Sequence, residues 1–438
     1  MISRLWTVVL AGLVCGWAVL VQADPMVQTV QGPGGMTVHL VESHANPMVE
    51  MRLVARGGSV SDPPGKAGVA YLTAWMFNEG SDTLDAATFQ ERLEFHGIHL
   101  DATASLESVV VRLTTLTGHL EEAWSRLADA LLRPRMAEKD FARGVDEQRA
   151  LIVKNQEQPQ TRASLLLHQM LYPDHPYGRP VVGTLEGLSR ITLADVVRFH
   201  ADTYHAPDMV LVVAGDMDLP QLQAGLARHL AGLDATPSPR AAMPPVPSAP
   251  PTAPQAQHVE MDLPQTTLLL GTLGIHRHDP DYYALYVLNQ ILGGSGLNSR
   301  LSTEIREKRG LTYGVYSRFV PLSDRGPFIV AMKTKTESTS EALALLQQEL
   351  QRMAREGVTE TELQEVILYL TGSFPLHLDG LGKLSATWGT IGFYQLGTDY
   401  LAKWPDRIRA VTREDVMRVA RRILDAERFY TVTVGKGR

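Results

Sequence analysis

Ile191-Thr-Leu-Ala-Asp-Val-Val-Arg198 and Val411-Thr-Arg-Glu-Asp-Val-Met-Arg418 align without a gap at an offset of 220 residues. In each copy a threonine stands three residues before an aspartate, Thr192 before Asp195 and Thr412 before Asp415. That spacing is a helix start, because hydroxyl and carboxylate satisfy free backbone donors of the first turn. An apolar, β-branched run follows at the same offset, Met209 to Ala214 and Phe429 to Val434, closed by Gly215 and Gly435. A capping motif alone recurs by chance; helix, strand and glycine in one register point to a duplication.

Working outward, Val49-Glu-Met-Arg-Leu-Val-Ala55 and Thr266-Thr-Leu-Leu-Leu-Gly-Thr272 read as strands, and helical patterns follow them at Ala67 to Glu79 and Tyr282 to Leu292. Between the copies, residues 235–257 hold eight prolines among Ala, Ser and Thr. Proline removes donors and favours extended conformations, so this stretch reads as a semi-rigid linker. The expected organisation is an α+β chain of two homologous domains, 24–234 and 258–438. In each, a mostly antiparallel sheet carries helices on one face.

The first 23 residues read as a secretion signal. Arg4 supplies the positive start, Leu5 to Val21 the apolar run, and Val21-Gln22-Ala23 the cleavage site, with Asp24 as the new N-terminus. An uncleaved anchor is the alternative for a run of this length. A lipidated Cys15 fits less well, since Val14 beside it is not small. Cys15 is the single cysteine, so the mature chain has no disulfide, thiol nucleophile or thiolate metal site. The leader holds one of 41 basic and none of 48 acidic residues, leaving 40 against 48 and a net charge of −8. This balance argues against nucleic acid as partner. An exported, periplasmic protein is the expectation.

Several motifs, in order along the chain, carry a family resemblance. They are Gly57-Gly-Ser with Gly68-Val-Ala, Tyr172-Pro-Asp-His-Pro-Tyr-Gly178, Val-Ala-Gly-Asp216, Leu292-Gly-Gly, Ser299-Arg-Leu, and Arg306-Glu-Lys-Arg-Gly-Leu-Thr-Tyr313. Together they resemble the pitrilysin/insulinase (inverzincin) metallopeptidases, above all the short-subunit branch that includes the mitochondrial processing peptidase. The resemblance implies two alpha-beta-roll domains facing each other across a chamber.

Active members carry His-x-x-Glu-His on the first helix of the N-terminal domain, two zinc ligands and a general base on one helical face. At the matching positions this chain has Tyr71, Ala74 and Trp75. A neutral phenol, a methyl group and an indole supply neither ligand nor base. The third ligand of the family, a Glu about 75 to 77 residues further on, would fall at Ala150, Leu151 or Ile152, and no acid lies between Glu147 and Glu157. Tyr71, Ala74 and Trp75 therefore read as an apolar face. The histidine pairs His276/His278, His96/His99, His200/His205 and His168/His175 lack a nearby Glu in a recognised zinc arrangement. No Gly-x-Ser-x-Gly elbow is present, and Gly293-Gly-Ser-Gly296 lacks the Lys-Ser/Thr of a nucleotide loop. In the family that stretch is a glycine-rich turn at the chamber wall, longer in the noncatalytic subunit of the processing peptidase, where it serves substrate capture.

Arg306 and Tyr313 are the retained pair. In active relatives an Arg and a Tyr at this spacing hold the substrate backbone and donate to the developing oxyanion. The implied function is a noncatalytic subunit that binds peptide and supplies Arg306 and Tyr313 in trans to a zinc-bearing, His-x-x-Glu-His partner as a heterodimer or larger assembly. No cofactor is expected in this chain itself. The alternative is a peptide-binding or scaffold protein outside any peptidase complex.

Overall fold

The computed structural model describes residues 27–239, 242–246, 255–294, 296–425 and 428–436. The expected leader, and residues 240, 241 and 247–254 of the proline-rich stretch, lie outside them. Eleven strands form two sheets among the described residues. The first sheet takes β1 (Val27–Gln31), β2 (Thr37–Glu42), β3 (Met48–Arg56), β4 (His99–Ala104), β5 (Ser108–Leu116) and β6 (Met209–Gly215) in the order β1-β2-β6-β3-β5-β4. The second takes β7 (Gln255–Glu260), β8 (Gln265–Leu273), β9 (Val315–Phe319), β10 (Pro327–Lys335) and β11 (Tyr430–Gly435) in the order β7-β11-β8-β10-β9. Apart from β1 the two orders are the same, and each sheet contains a single parallel pair, β2 with β6 and β7 with β11. The duplication read from the capping motifs is thus a duplication of topology.

Both helix starts form the reciprocal cap their spacing predicts. Thr192 accepts from the Asp195 amide while Asp195 accepts from the Thr192 amide, and Thr412 and Asp415 repeat the pattern. Each helix, Leu193–Thr203 or Arg413–Ile423, delivers the chain to a central strand, β6 or β11. Every residue of β6 is buried, as a strand covered on both faces requires.

What covers those faces is not local. Successive side chains of a strand point to opposite sides. Leu211 and Val213 of β6 join the core of the first half, with Val69, Leu72, Leu127, Val196 and Leu222. Val210, Val212 and Ala214 point the other way and meet Leu384, Trp388 and Ile391 of helix Leu381–Phe393 from the second half. The exchange is mutual. Helix Pro159–Leu171 of the first half lays Ala163, Leu167 and Leu171 on Leu269, Ile329, Ala331 and Val432 of the second sheet. Glycines let the elements approach: a Cβ on Gly392 would lie 2.5 Å from a Val210 methyl carbon, and one on Gly271 2.8 Å from a Leu167 methyl carbon.

Buried carboxylates join the halves beside this packing. Glu107 accepts from the hydroxyls of Tyr177 and Tyr394 and from the Ser323 amide. Glu50 accepts from Arg52, Arg112 and Ser385. The proline-rich stretch also takes part. Val246 is buried in the core under helix Pro159–Leu171, its amide bonded to Asp324, and the Pro244 carbonyl meets His175. Residues 255–257, expected within the linker, already belong to β7 and pair with β11.

Candidate functional site

Tyr71, Ala74 and Trp75 stand on helix Val69–Met76, which faces helix Glu138–Glu157. Asp62 anchors the start of the first helix, accepting from the Gly68 and Ala70 amides at 2.7 Å each. Gln148 ties the second helix to it through the Gly68 carbonyl. Ala74 is buried, and Tyr71 and Trp75 are half-buried against the first core. Trp75 packs against Gly144, where a Cβ would come within 2.7 Å of its ring. Arg143 stacks over the indole, 5.5 Å from guanidinium carbon to ring centroid, and is itself paired with Glu79.

One residue of this surface escaped the sequence reading. Glu147 accepts a 3.0 Å bond from the Trp75 indole N–H. Burial, and then the Glu147 charge, push the Tyr71 phenol above its ordinary pKa, so it is neutral at pH 7. Glu147 stands one helical turn before Leu151, the middle of the window in which the third ligand was sought. Residues four apart share a helix face, and that spacing was the available signal. These residues do not fit zinc: the indole offers a proton where a ligand needs a lone pair, and the one facing carboxylate is engaged with it. No group of three or more His, Cys, Asp or Glu that could hold a metal occurs among the described residues. His96 meets His119 rather than His99, with their Nδ1 atoms 3.2 Å apart.

Arg306 and Tyr313 lie in the second half. Arg306 belongs to the π-helical turn Ser302–Glu307, and Tyr313 to the loop before β9. Gly310, at φ +63°, bends the chain between them. Thr312 pins the loop by bonding the Gly314 amide and the Lys333 carbonyl, which leaves Tyr313 turned outward and 93% exposed. Both residues line one open hollow of about 550 Å³, walled by residues of the second half from Gln265 to Lys335. No residue of helix Val69–Met76 lines it. The charges around it are sorted. Glu304 neutralises Lys308 at 2.8 Å and Arg309 at 3.2 Å, while Arg306 makes no ion pair or side-chain hydrogen bond with any described residue. The glycine-rich turn Gln290–Gly294 is a packing feature, since a Cβ on Gly293 would sit 2.4 Å from the Ser317 amide of β9.

Two topologically equivalent α+β halves, with Tyr71, Ala74 and Trp75 on the first helix, mark a relative of the two-domain zinc peptidases. Residues 37–185 match Insulinase (Peptidase family M16) and residues 190–370 match Peptidase M16 inactive domain. The chain belongs to peptidase family M16. It is similar to an uncharacterized zinc protease of Streptomyces coelicolor, 28% identical over 90% of this chain and 86% of that one. It is also similar to the non-peptidase homolog YmxG of Helicobacter pylori, 27% identical over 81% of each. Among solved structures, the peptidase M16 inactive domain from Pseudomonas fluorescens superposes with a TM-score of 0.88 at 33% identity, covering 94% of this chain and 98% of that one.

Proposed function

We propose that this chain is an exported, noncatalytic subunit of a heteromeric zinc metallopeptidase, and that it supplies Arg306 and Tyr313 to the active site of a His-x-x-Glu-His partner. The observation that carries the reading is the state of the pair. Among the described residues Arg306 makes no ion pair, beside two cations that Glu304 neutralises, and Tyr313 holds its phenol in open solvent. Both face a hollow wide enough for a peptide segment. The partner's zinc would activate the attacking water. Arg306 would hold the substrate backbone, and the Tyr313 hydroxyl would donate to the carbonyl oxygen as it becomes anionic.

Co-expression with a His-x-x-Glu-His homologue tests this. Peptide cleavage by the pair should exceed that of the homologue alone, and Tyr313→Phe should slow the pair by on the order of 10²-fold, the usual loss for one oxyanion donor, without removing zinc. Cleavage equal to that of the homologue alone would sink the proposal. A peptide-binding protein outside any such complex is the second reading, favoured by the filling of the former ligand face with Trp75, Glu147 and Arg143. It predicts peptide binding with no partner-dependent hydrolysis.

A further inference from the structure

The hollow holding Arg306 and Tyr313 runs against the net negative charge of the chain. Lys333 and Lys335 also line it, and Glu307 is the one acidic residue that does among the described residues, so three cations oppose one anion in a chain whose net charge is −7. Their placement follows from the strand. Lys333 and Lys335 alternate with buried Thr334 on β10, so both project to the same, exposed side. β9 begins opposite Met332, and beyond it side-chain hydrogen bonds join β10 to the loop that precedes β9. Thr312 bonds the Lys333 carbonyl and Thr334 bonds the Leu311 carbonyl, each at 2.7 Å. The two lysines therefore sit at fixed backbone positions beside the loop that carries Tyr313. Like Arg306, neither makes an ion pair or side-chain hydrogen bond with a described residue. Such pairing is common nearby: Glu304 bonds Lys308 and Arg309, and Glu362 bonds Arg300.

We infer that this hollow is a carboxylate-reading subsite, in which Lys333 and Lys335, beside Arg306, select peptides carrying an acidic group next to the segment held by Arg306 and Tyr313. The inference rests on the reading of that pair as peptide contacts, and it adds the substrate class. An acidic side chain and a free peptide C-terminus present the same carboxylate. The cations are solvent-exposed, so each close pair contributes modestly and is screened by salt.

Binding by the full chain without a partner separates these sources. Three pools of mixed-sequence decapeptides carry an uncharged dye: one with a fixed central Glu and an amidated C-terminus, one with Gln in its place, and one with Gln and a free C-terminus. At low salt the Glu pool, the free-acid pool or both should bind about 5- to 10-fold more tightly than the amidated Gln pool. The preference should fade in about 1 M salt, where the screening length is about 3 Å. Whichever acid gains is the source of the carboxylate. The double variant Lys333→Gln/Lys335→Gln should bring the pools within about two-fold of one another, at unchanged thermal midpoint, because both side chains are exposed. Lys333→Glu/Lys335→Glu should reverse the preference toward a pool with a central Lys. Equal binding of all three pools, no binding of any, or a preference that survives both double variants would overturn the inference. Partner-dependent hydrolysis is scored separately. Its presence without acid preference removes this inference alone, and acid preference without it removes the trans-supply reading alone.

Discussion

At the scale of single residues, the helix face carrying Tyr71, Ala74 and Trp75 is closed by packing around the indole. Trp75 is held by contacts from three sides: Gly144 beneath it, Arg143 over it and Glu147 on its N–H. Gly144 is then a steric requirement in the interior of a helix, where alanine would otherwise be preferred by about 1 kcal/mol. Gly144→Ala should destabilise the protein by about 1–3 kcal/mol, the range for overpacking. In a Trp75→Ala background the same change should cost at least about 1 kcal/mol less, as a double-mutant cycle by chemical denaturation would register. Equal costs in the two backgrounds would mean that the indole does not press on Gly144. That Tyr71, Ala74 and Trp75 share a helix face was legible from their spacing, and that the resemblance implies His, Glu and His at those positions came from the family motifs. The role of Glu147 was legible in neither, because it depends on how two helices far apart in sequence turn toward each other. The same holds for Arg306: its type and spacing can be read, but whether Glu304 neutralises it is decided only by side-chain direction in the folded turn.

At the scale of elements, the caps were the most readable features, since their partners stand three residues apart and need no tertiary information. Thr359 and Glu362 form another such box at the start of helix Glu360–Ser373, and here the cap also makes a long-range contact. Glu362 accepts two bonds from Arg300, at 2.6 and 2.7 Å. Burial raises the Glu362 pKa, but the bonds from Arg300 and Thr359 outweigh it and leave the carboxyl at about 2. A carboxyl depressed in the folded state stabilises fully above its unfolded pKa and loses that contribution as pH falls through the folded value. Glu362→Gln should therefore cost up to about 3 kcal/mol near pH 7. The difference from the unaltered chain should shrink below about pH 4.5, be small near pH 2 and vanish below it, as denaturation midpoints measured across that range would show. A pH-independent difference would assign the loss to packing. The exchanged helices, by contrast, could not be placed from sequence. Pro159–Leu171 and Leu381–Phe393 have ordinary apolar faces, and nothing local states that each belongs to the sheet of the other half.

At the scale of the whole molecule, that exchange and the buried carboxylates make the two halves one cooperative body. Glu107 gathers donors from both halves in a buried setting, so Glu107→Ala leaves two phenols and an amide without an acceptor and should cost about 2–4 kcal/mol. Calorimetry should then show the single unfolding transition broadening or dividing into two; an unchanged profile would mean the helices alone couple the halves. The duplication itself was readable from a helix start, a strand and a glycine repeated at an offset of 220 residues, whereas the dependence of each copy on the other was not. That dependence bears on descent. A gene for one half alone would encode a sheet with a bare apolar face, so the ancestral unit would have needed a second copy of itself, each lending a helix to its twin. Fusion of two such genes would keep the exchange within one chain, so that neither copy would depend on meeting a separate partner to cover its sheet.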